Sequence, residues 1–189
     1  MRHAAKIAIV VAGLLLVTAC DSRVERTDGG GVLLSVSDFD GIPNVVAVNE
    51  QRPALGGANL VVIPSITVES IVRDIDGESS PLMNIEMQSY EVTFTRGDGG
   101  TRVPPPLVEK IFGVVPPNGT LQYDNLPMMR AGQLENTPLS DLFFESGGFD
   151  KETGRASVLL NISVRFFGRS IAGEAVDTAP VSFTVEFIP

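Results

Sequence analysis

The strongest constraint on the fold is a two-residue alternation of apolar and polar side chains along several segments of the chain. The clearest segment is 157–166, in which every second residue is apolar, and residues 89–95 and 181–187 show the same alternation. Successive side chains of a β-strand point to opposite faces, so each segment places one face on a core and the other in water. A sheet that is solvated on one side is typical of antiparallel pairing. The alternation therefore predicts an all-β fold.

Five further segments are strand candidates, and most are separated by Gly, Pro, Asn and Asp clusters that favour turns: 32–37, 44–48, 59–63, 66–73 and 119–125. About seven to eight short strands predict an immunoglobulin-like antiparallel β-sandwich over residues 32–189. A C2-like or transthyretin-like sandwich would give much the same pattern. One short helix is predicted over 139–145, because Thr137 and Pro138 favour a helix start and Gly147 favours an end.

The charge balance narrows the classes of partner. The chain has 189 residues, with 23 acidic against 14 basic side chains and a formal net charge of −9. Nucleic-acid binding needs a surplus of Lys and Arg, so we predict no nucleic-acid partner. The hydrophobic fraction of 43% is too high for a disordered chain.

The N-terminus carries the features of a processing signal. Arg2 and Lys6 precede an apolar run over 7–19 that is short compared with the ~20 residues of a membrane-spanning helix. A basic start followed by a short apolar run predicts a secretory signal peptide over residues 1–19. The run ends in Leu16-Val17-Thr18-Ala19-Cys20, with an apolar residue at −3, small residues at −2 and −1, and then cysteine. This segment resembles the lipobox of bacterial lipoproteins.

The resemblance implies that Cys20 receives a diacylglyceryl group, that the chain is cleaved before it, and that its lipids anchor the protein to a membrane. The body would then be part of the bacterial cell envelope and face the periplasm or the cell exterior. Asp21 resembles the signal that retains lipoproteins in the inner membrane of enteric bacteria. The alternative is an ordinary signal peptide with an incidental cysteine. Residues 20–31 contain few apolar side chains and end in three glycines, which predicts a flexible tether.

Removal of the signal peptide would leave little catalytic chemistry. His3 is the only histidine and Cys20 the only cysteine, so the mature body would have neither imidazole nor a free thiol. A Ser-His-Asp or Cys-His site and a Cys/His zinc site are then excluded within one chain. We therefore predict that the protein is not an enzyme. A hydrolase that uses a pair of carboxylates is the weaker alternative.

Two D-x-D-G motifs are the candidate metal ligands, Asp38-Phe39-Asp40-Gly41 and Asp74-Ile75-Asp76-Gly77. Alternating Asp before Gly can bring oxygen ligands round a Ca²⁺ ion, and Glu78 could add another. Neither motif has the spacing of an EF-hand. The motifs therefore predict calcium loops at one end of the sandwich, with no other cofactor. The alternative is that they mark strand exits, since Asp and Gly favour turns.

Two other patterns have both a structural and a functional interpretation. Arg96-Gly97-Asp98 resembles the integrin-recognition tripeptide, but the Gly-Asp-Gly-Gly sequence at 97–100 favours a hairpin turn. Five phenylalanines predict an aromatic cluster that packs in the core or lines a hydrophobic ligand groove: Phe143, Phe144, Phe149, Phe166 and Phe167. Taken together, the sequence predicts a structural or protein-interaction module of the envelope with an unidentified protein partner. A calcium-dependent, small-ligand or glycan-binding module is the alternative.

Overall fold

A computed structural model describes residues 31–53, 56–74 and 79–189. The predicted signal peptide, Cys20, most of the tether, Asp76 and Glu78 lie outside these ranges. The described part is mostly β-structure with a few short helical turns, as the alternation predicts. Its strands are β1 Val32–Asp40, β2 Val45–Ala47, β3 Leu60–Val72, β4 Ile85–Arg96, β5 Leu107–Lys110, β6 Val114–Val115, β7 Thr120–Arg130, β8 Val158–Ser170, β9 Ala175–Asp177 and β10 Val181–Ile188. Its helices are α1 Ala131–Leu134 and the 3-10 turns η1 Pro81–Met83, η2 Leu139–Leu142 and η3 Phe144–Ser146.

The strands form two sheets. The smaller sheet has the order β1-β3-β7, and both of its pairings are antiparallel. The larger sheet has the order β2-β10-β8-β4-β5, with β6 added to β4 and β9 added to β8. Its pairings are antiparallel except that β2 runs parallel to β10. The described part of the chain therefore follows the predicted antiparallel pairing with one exception.

One hydrophobic core receives side chains from both sheets. Val158, Leu160 and Ile162 of β8 are fully buried, together with Ile63 and Ile66 of β3. The alternating residues of β8 thus face the core, as their period predicts. The apolar area that these side chains remove from water is the main favourable contribution to folding.

Tyr90 of β4 links the two sheets through its hydroxyl group. The side chain is fully buried, and its ring centre lies 5.9 Å from that of Phe166. The Tyr90 hydroxyl donates a hydrogen bond of 2.8 Å to the carbonyl of Pro127 on β7. Burial, together with the nearby charge of Glu109, raises the pKa of Tyr90 above its ordinary value. The hydroxyl group therefore keeps its proton and remains a donor.

Strand β3 is a single strand where the sequence predicts two. Its 13 residues continue through Pro64, which the turn rules treat as a break. Pro64 has no N–H to contribute, and the pairing with β1 ends at the neighbouring Ser65, opposite Asp40. On the other side, Asn125 of β7 adopts a positive φ of 53°. Pro64 is tolerated because it lies where the pairing with β1 ends.

The predicted helix over 139–145 is instead two 3-10 turns, η2 and η3, separated by an extended Phe143. Asn49 explains the break, because its side-chain amide donates to the Leu142 carbonyl and its side-chain oxygen accepts from the Phe144 N–H. These bonds replace the backbone bonds of a continuous short helix, which is marginal in stability. Gly147 ends η3 in the left-handed conformation with φ of 113°, and this part of the prediction is confirmed.

The strands define two ends of the body. The N-terminal end comprises Gly31, residues 71–74, 81–85 and 111–119, and the turn at 170–174. Val32 pairs with Val72 there, Ile85 pairs with both Ser170 and Val115, and β6 also contacts β3 and β7. The loop end is opposite and comprises residues 40–53, 56–59, 97–106 and 131–157 and the C-terminal Pro189. Among the described residues, no helix is both long and apolar enough to cross a membrane.

Candidate functional site

The structure places the two D-x-D-G motifs far apart. Asp38 and Asp40 lie near the loop end of β1, where they pair with Thr67 and Ser65. Asp74 follows β3 at the N-terminal end, two residues after Val72. The six strand steps from Val32 to Asp38 cover about 20 Å at ~3.3 Å per residue. The expectation that both motifs lie at one end of the body is therefore wrong for their described residues.

The local surroundings of these aspartates are those of a strand exit. Both Asp38 and Asp40 are exposed, and the Asp40 carboxylate accepts a hydrogen bond of 2.6 Å from the Gly41 N–H. Within residues 31–53, 56–74 and 79–189, no group of three or more His, Cys, Asp or Glu side chains could hold a metal ion. Asp76 and Glu78 are not among these residues, and nothing tests whether Asp38 and Asp40 bind calcium, so both calcium loops stay predictions.

The most elaborate polar arrangement in the described chain surrounds Arg96 at the loop end. We call Arg96, Asp98 and Asp150 the Arg96 cluster. The Arg96 guanidinium donates from Nε and Nη2 to both oxygens of Asp98, at 2.7 and 2.8 Å. Nη2 also donates to Asp150 at 2.6 Å, and Nη1 donates to the Arg102 carbonyl at 3.3 Å. The Arg96 and Asp98 side chains are 2% and 3% exposed, and that of Asp150 is fully buried.

Backbone groups complete the hydrogen bonding of the two carboxylates. Asp98 accepts from the N–H groups of Gly100 and Leu159, at 3.2 and 3.0 Å. Asp150 accepts from the N–H and hydroxyl of Thr153 and from the Glu152 N–H. The cluster therefore joins the end of β4, the 97–102 turn, the 150–153 turn and the start of β8. A buried ion pair is tolerated when its remaining polar atoms are satisfied in this way.

The pKa values of Arg96, Asp98 and Asp150 are all shifted in the direction that keeps these side chains charged near neutral pH. Burial raises the pKa of Asp98, but hydrogen bonds from Arg96, Leu159 and Gly100 outweigh it and lower the pKa to about 2. The pKa of Asp150 is also lowered, because bonds from Thr153, Arg96 and Glu152 outweigh the effect of burial. Burial lowers the pKa of Arg96, and its bonds to the two aspartates more than compensate. All three groups are thus ionised at neutral pH.

The cluster is a structural element and not a ligand site. Its guanidinium donors are directed at protein oxygens, and its side chains have almost no solvent contact. The turn interpretation of residues 97–100 is confirmed, since they lie in the bend between β4 and β5. Arg96 and Asp98 bind each other, so the tripeptide cannot present these two side chains to a receptor. What the cluster can do is hold the surrounding loops in a fixed arrangement.

Further charged side chains lie nearer the surface over these loops. Glu152 accepts from the N–H of Thr101 at 2.8 Å and from the N–H of Arg102 at 3.0 Å. Asp141 is almost buried and pairs with Lys151 at 3.1 Å, while Arg102 lies 3.8 Å away. The side chains of Arg102 and Lys151 are about half exposed. The loop end thus presents a mixed-charge surface on a rigid base.

The five phenylalanines that the sequence predicts as a cluster do not form one. Some of them are instead exposed at the loop end, together with these charges. Phe166 is fully buried and Phe143 nearly so, whereas Phe144 is 67% exposed and Phe149 is also exposed. Phe166 instead contacts Tyr90 and Tyr123. Aromatic residues and arginine are enriched in protein interfaces. Phe144, Phe149 and Arg102 are therefore candidate contact residues of the loop end.

Two open grooves also lie on the described surface. One, of about 300 Å³, lies between β1 and the 177–180 segment, with Leu33, Ile71 and Arg165 in its wall. The other, of about 330 Å³, lies between β2 and the start of β3. In the first groove Arg165 already pairs with Asp177. Neither groove is lined by the phenylalanines that the sequence suggested for a ligand groove.

The sequence interpretation missed Asp150 and Asp141. A local signal existed for Asp150, because Asp150 followed by Thr153 and Gly154 is a turn in which the Asp side chain accepts from its own loop. Nothing in the chain indicates that Asp150 also meets Arg96, which is 54 positions away. That contact depends on the adjacency of β4 and β8.

Comparisons with known proteins give little further information. No protein-family model and no curated protein matches the chain. Among solved structures, the chain is similar to the solution structure of a candidate late embryogenesis abundant (LEA) protein, with a TM-score of 0.40 and 13% sequence identity. That similarity covers 100% of this chain and 88% of the other. A TM-score this low supports no inference about fold or function.

Proposed function

We propose that the protein is a lipid-anchored bacterial lipoprotein that serves as a non-enzymatic interaction module of the cell envelope. The observation that carries the proposal is the segment 16–20, which ends in the only cysteine of the chain, after a basic start and a short apolar run. Two or more acyl chains on Cys20 would meet the requirement for stable anchoring. The body that follows begins with β1 at Val32.

The body is proposed to be an immunoglobulin-like sandwich. The order β1-β3-β7 corresponds to strands A, B and E of that fold, and β10-β8-β4 corresponds to G, F and C. Strand β2 would be the part of strand A that crosses to the second sheet, parallel to G. Tyr90 on β4 occupies the core as the buried tryptophan of strand C does in antibody domains.

The loop end is proposed to bind the protein partner. It is opposite Gly31, where the predicted tether ends, so it would be directed away from the membrane. The buried Arg96 cluster fixes its loops, and a fixed surface loses less entropy on binding. Phe144, Phe149 and Arg102 supply the aromatic and arginine side chains that are typical of interface contacts.

The Cys20→Ala variant tests the anchor. We expect it to lose incorporation of labelled fatty acid and to accumulate as the uncleaved precursor, because the lipoprotein route acts on the thiol. The measurement is metabolic labelling with electrophoresis of membrane and soluble fractions. The matched control is Ser22→Ala, which should be acylated and cleaved like the natural chain. A Cys20→Ala chain of mature size in the membrane fraction would contradict the proposal.

A further inference from the structure

Two loops at the N-terminal end expose large apolar side chains beside each other in the fold. Leu82 of η1 is 57% exposed, and Ile171 in the turn after β8 is 49% exposed. The backbones of the two loops are joined, since Ala172 N–H donates to the Leu82 carbonyl at 3.1 Å and Ile171 N–H donates to the Asn84 carbonyl at 2.9 Å. The exposed side chains thus belong to one firmly held projection.

Other exposed apolar residues lie at the same end. Ile71 precedes the last residue of β3, and Val114 of β6 pairs with Glu86 near the start of β4. Isolated apolar residues on a surface need no explanation, whereas a contiguous apolar patch marks an interaction surface, and Leu82 and Ile171 lie on two loops that hydrogen bonds join. We call Leu82, Ile171, Ile71 and Val114 the N-terminal apolar surface.

The position of the proposed anchor indicates what covers this surface. The Gly31 carbonyl accepts a hydrogen bond of 3.0 Å from Arg73, so the chain joins the body at this end. Eleven residue steps lead from Cys20 to Gly31, and they span at most about 40 Å. A lipid on Cys20 would therefore hold the N-terminal end within reach of the bilayer, at a high effective concentration.

The charges at this end favour apolar contact over electrostatic attraction. Arg73 and Arg169 are there, but so are Asp74, Glu86 and Glu174. A surface that adsorbs to anionic lipid carries an excess of basic residues. The N-terminal end has no such excess among its described residues, so its attraction to a bilayer must come from Leu82, Ile171 and their apolar neighbours.

We propose that the N-terminal apolar surface docks on the lipid bilayer, with Leu82 and Ile171 entering the boundary between headgroups and acyl chains. This inference rests on the proposed lipid anchor, because two partly exposed side chains are too little to hold the protein on a membrane without it. Docking holds the body upright, with the loop end directed away from the membrane. The anchor supplies proximity, and the surface sets orientation.

The chain contains no tryptophan, so a single substitution supplies a unique fluorescent probe. The test uses the mature lipoprotein with Leu82→Trp, reconstituted into phosphatidylcholine vesicles. We expect a blue shift of its emission and quenching by brominated lipid. The matched control is Phe144→Trp at the loop end, which should keep its emission and resist quenching. Vesicles that also contain anionic lipid should give the same result, because the contact is apolar.

Several outcomes would overturn the proposal. If both probes were quenched equally, or if neither were quenched, the N-terminal end would not be the end that docks on the bilayer. Quenching of Leu82→Trp only with anionic lipid would indicate electrostatic adsorption. A blue shift without vesicles that grows with protein concentration would indicate contact with a second copy of the chain. The mass of the purified chain reports separately whether Cys20 is acylated. If it is not, the same variants coupled through the Cys20 thiol to a maleimide lipid still test docking.

Discussion

Arg96 is a charged residue that the fold buries and then uses to hold several loops. Its guanidinium binds two carboxylates that are themselves bonded to backbone N–H groups. A buried ion pair contributes little net stability compared with apolar side chains of the same volume. Removing one member is different, because the remaining charges stay buried without their partner. Removing Arg96 should therefore lower the stability of the folded protein by more than the intact ion pair adds to it.

The Arg96→Met variant should be strongly destabilised, since it leaves Asp98 and Asp150 buried with no cation. The expected loss is about 3–5 kcal/mol in the free energy of unfolding, measured by urea denaturation at pH 7. The control is Arg165→Met, which removes a partly exposed pair with Asp177 and should cost about 0–1 kcal/mol. Equal losses in the two variants would show that the Arg96 cluster is not the structural element described above.

For individual residues, the sequence predicts only those structural roles that depend on neighbours in the chain. Asp98 and Gly99 predict a turn, and the turn is found. The identity of the group that Arg96 meets is not local, because Asp150 is brought to it by the pairing of β4 with β8. The exposure of Phe144 beside a buried Phe143 is also not readable from the sequence. It follows from the extended backbone at Phe143, which Asn49 stabilises from a distant loop.

Strand β8 is the central element of the larger sheet, and Gly168 shows how closely it fits β4. Gly168 lies opposite Met87, where β4 carries a register shift between Met87 and Ser89. A Cβ atom at position 168 would lie 2.7 Å from a methyl carbon of Ile85 and 2.9 Å from the Glu86 carbonyl oxygen. The backbone contact cannot be relieved by a side-chain rotation.

The Gly168→Ala variant should therefore separate the two strands locally and lose about 1–3 kcal/mol of stability, as overpacking usually does. Thermal unfolding followed by circular dichroism measures the loss. Gly132→Ala is the control, because Gly132 lies in α1 and a Cβ there meets no atom within 4 Å outside the neighbouring backbone of that helix. That control should be as stable as the natural chain or slightly more stable, since alanine favours the helix. A Gly168→Ala chain with unchanged melting temperature would refute the predicted clash.

The strands that the sequence predicts well are those with a long alternation, such as β4, β8 and β10. Strands β6 and β9 are missed, because they have two and three residues, which is too few for any period to appear. The merging of 59–63 and 66–73 into β3 is missed for another reason. The turn rules treat Pro64 as a break, while the sheet needs only that no partner strand requires its N–H.

The free energy of unfolding of the whole molecule should fall at acid pH, because its buried carboxylates become protonated there. The folded pKa of Asp98 is about 2, below the value of ~3.9 for an unperturbed Asp. Asp150 is shifted in the same direction. A group whose pKa is lowered by folding contributes stability that is fully present above its unfolded pKa. That contribution is lost as the pH falls through the folded pKa.

We therefore expect the free energy of unfolding to change little from pH 7 to 5 as far as these groups are concerned, and to fall between about pH 4 and 2. Asp98→Asn removes one of the titrating groups, so its stability should fall less steeply in that interval. The measurement is a series of urea midpoints from pH 7 to 2.5 for both chains. A difference between the two chains that stays constant at every pH would show that Asp98 does not titrate as described.

The pairing of β2 with β10 has a consequence for how the chain is made. Among the described residues, 45–47 pair only with 186–188, which are synthesised much later, and β8 also needs β10 on its second side. The larger sheet therefore cannot be completed until residues 181–188 have been synthesised and are free to pair. Contacts between such distant positions slow folding.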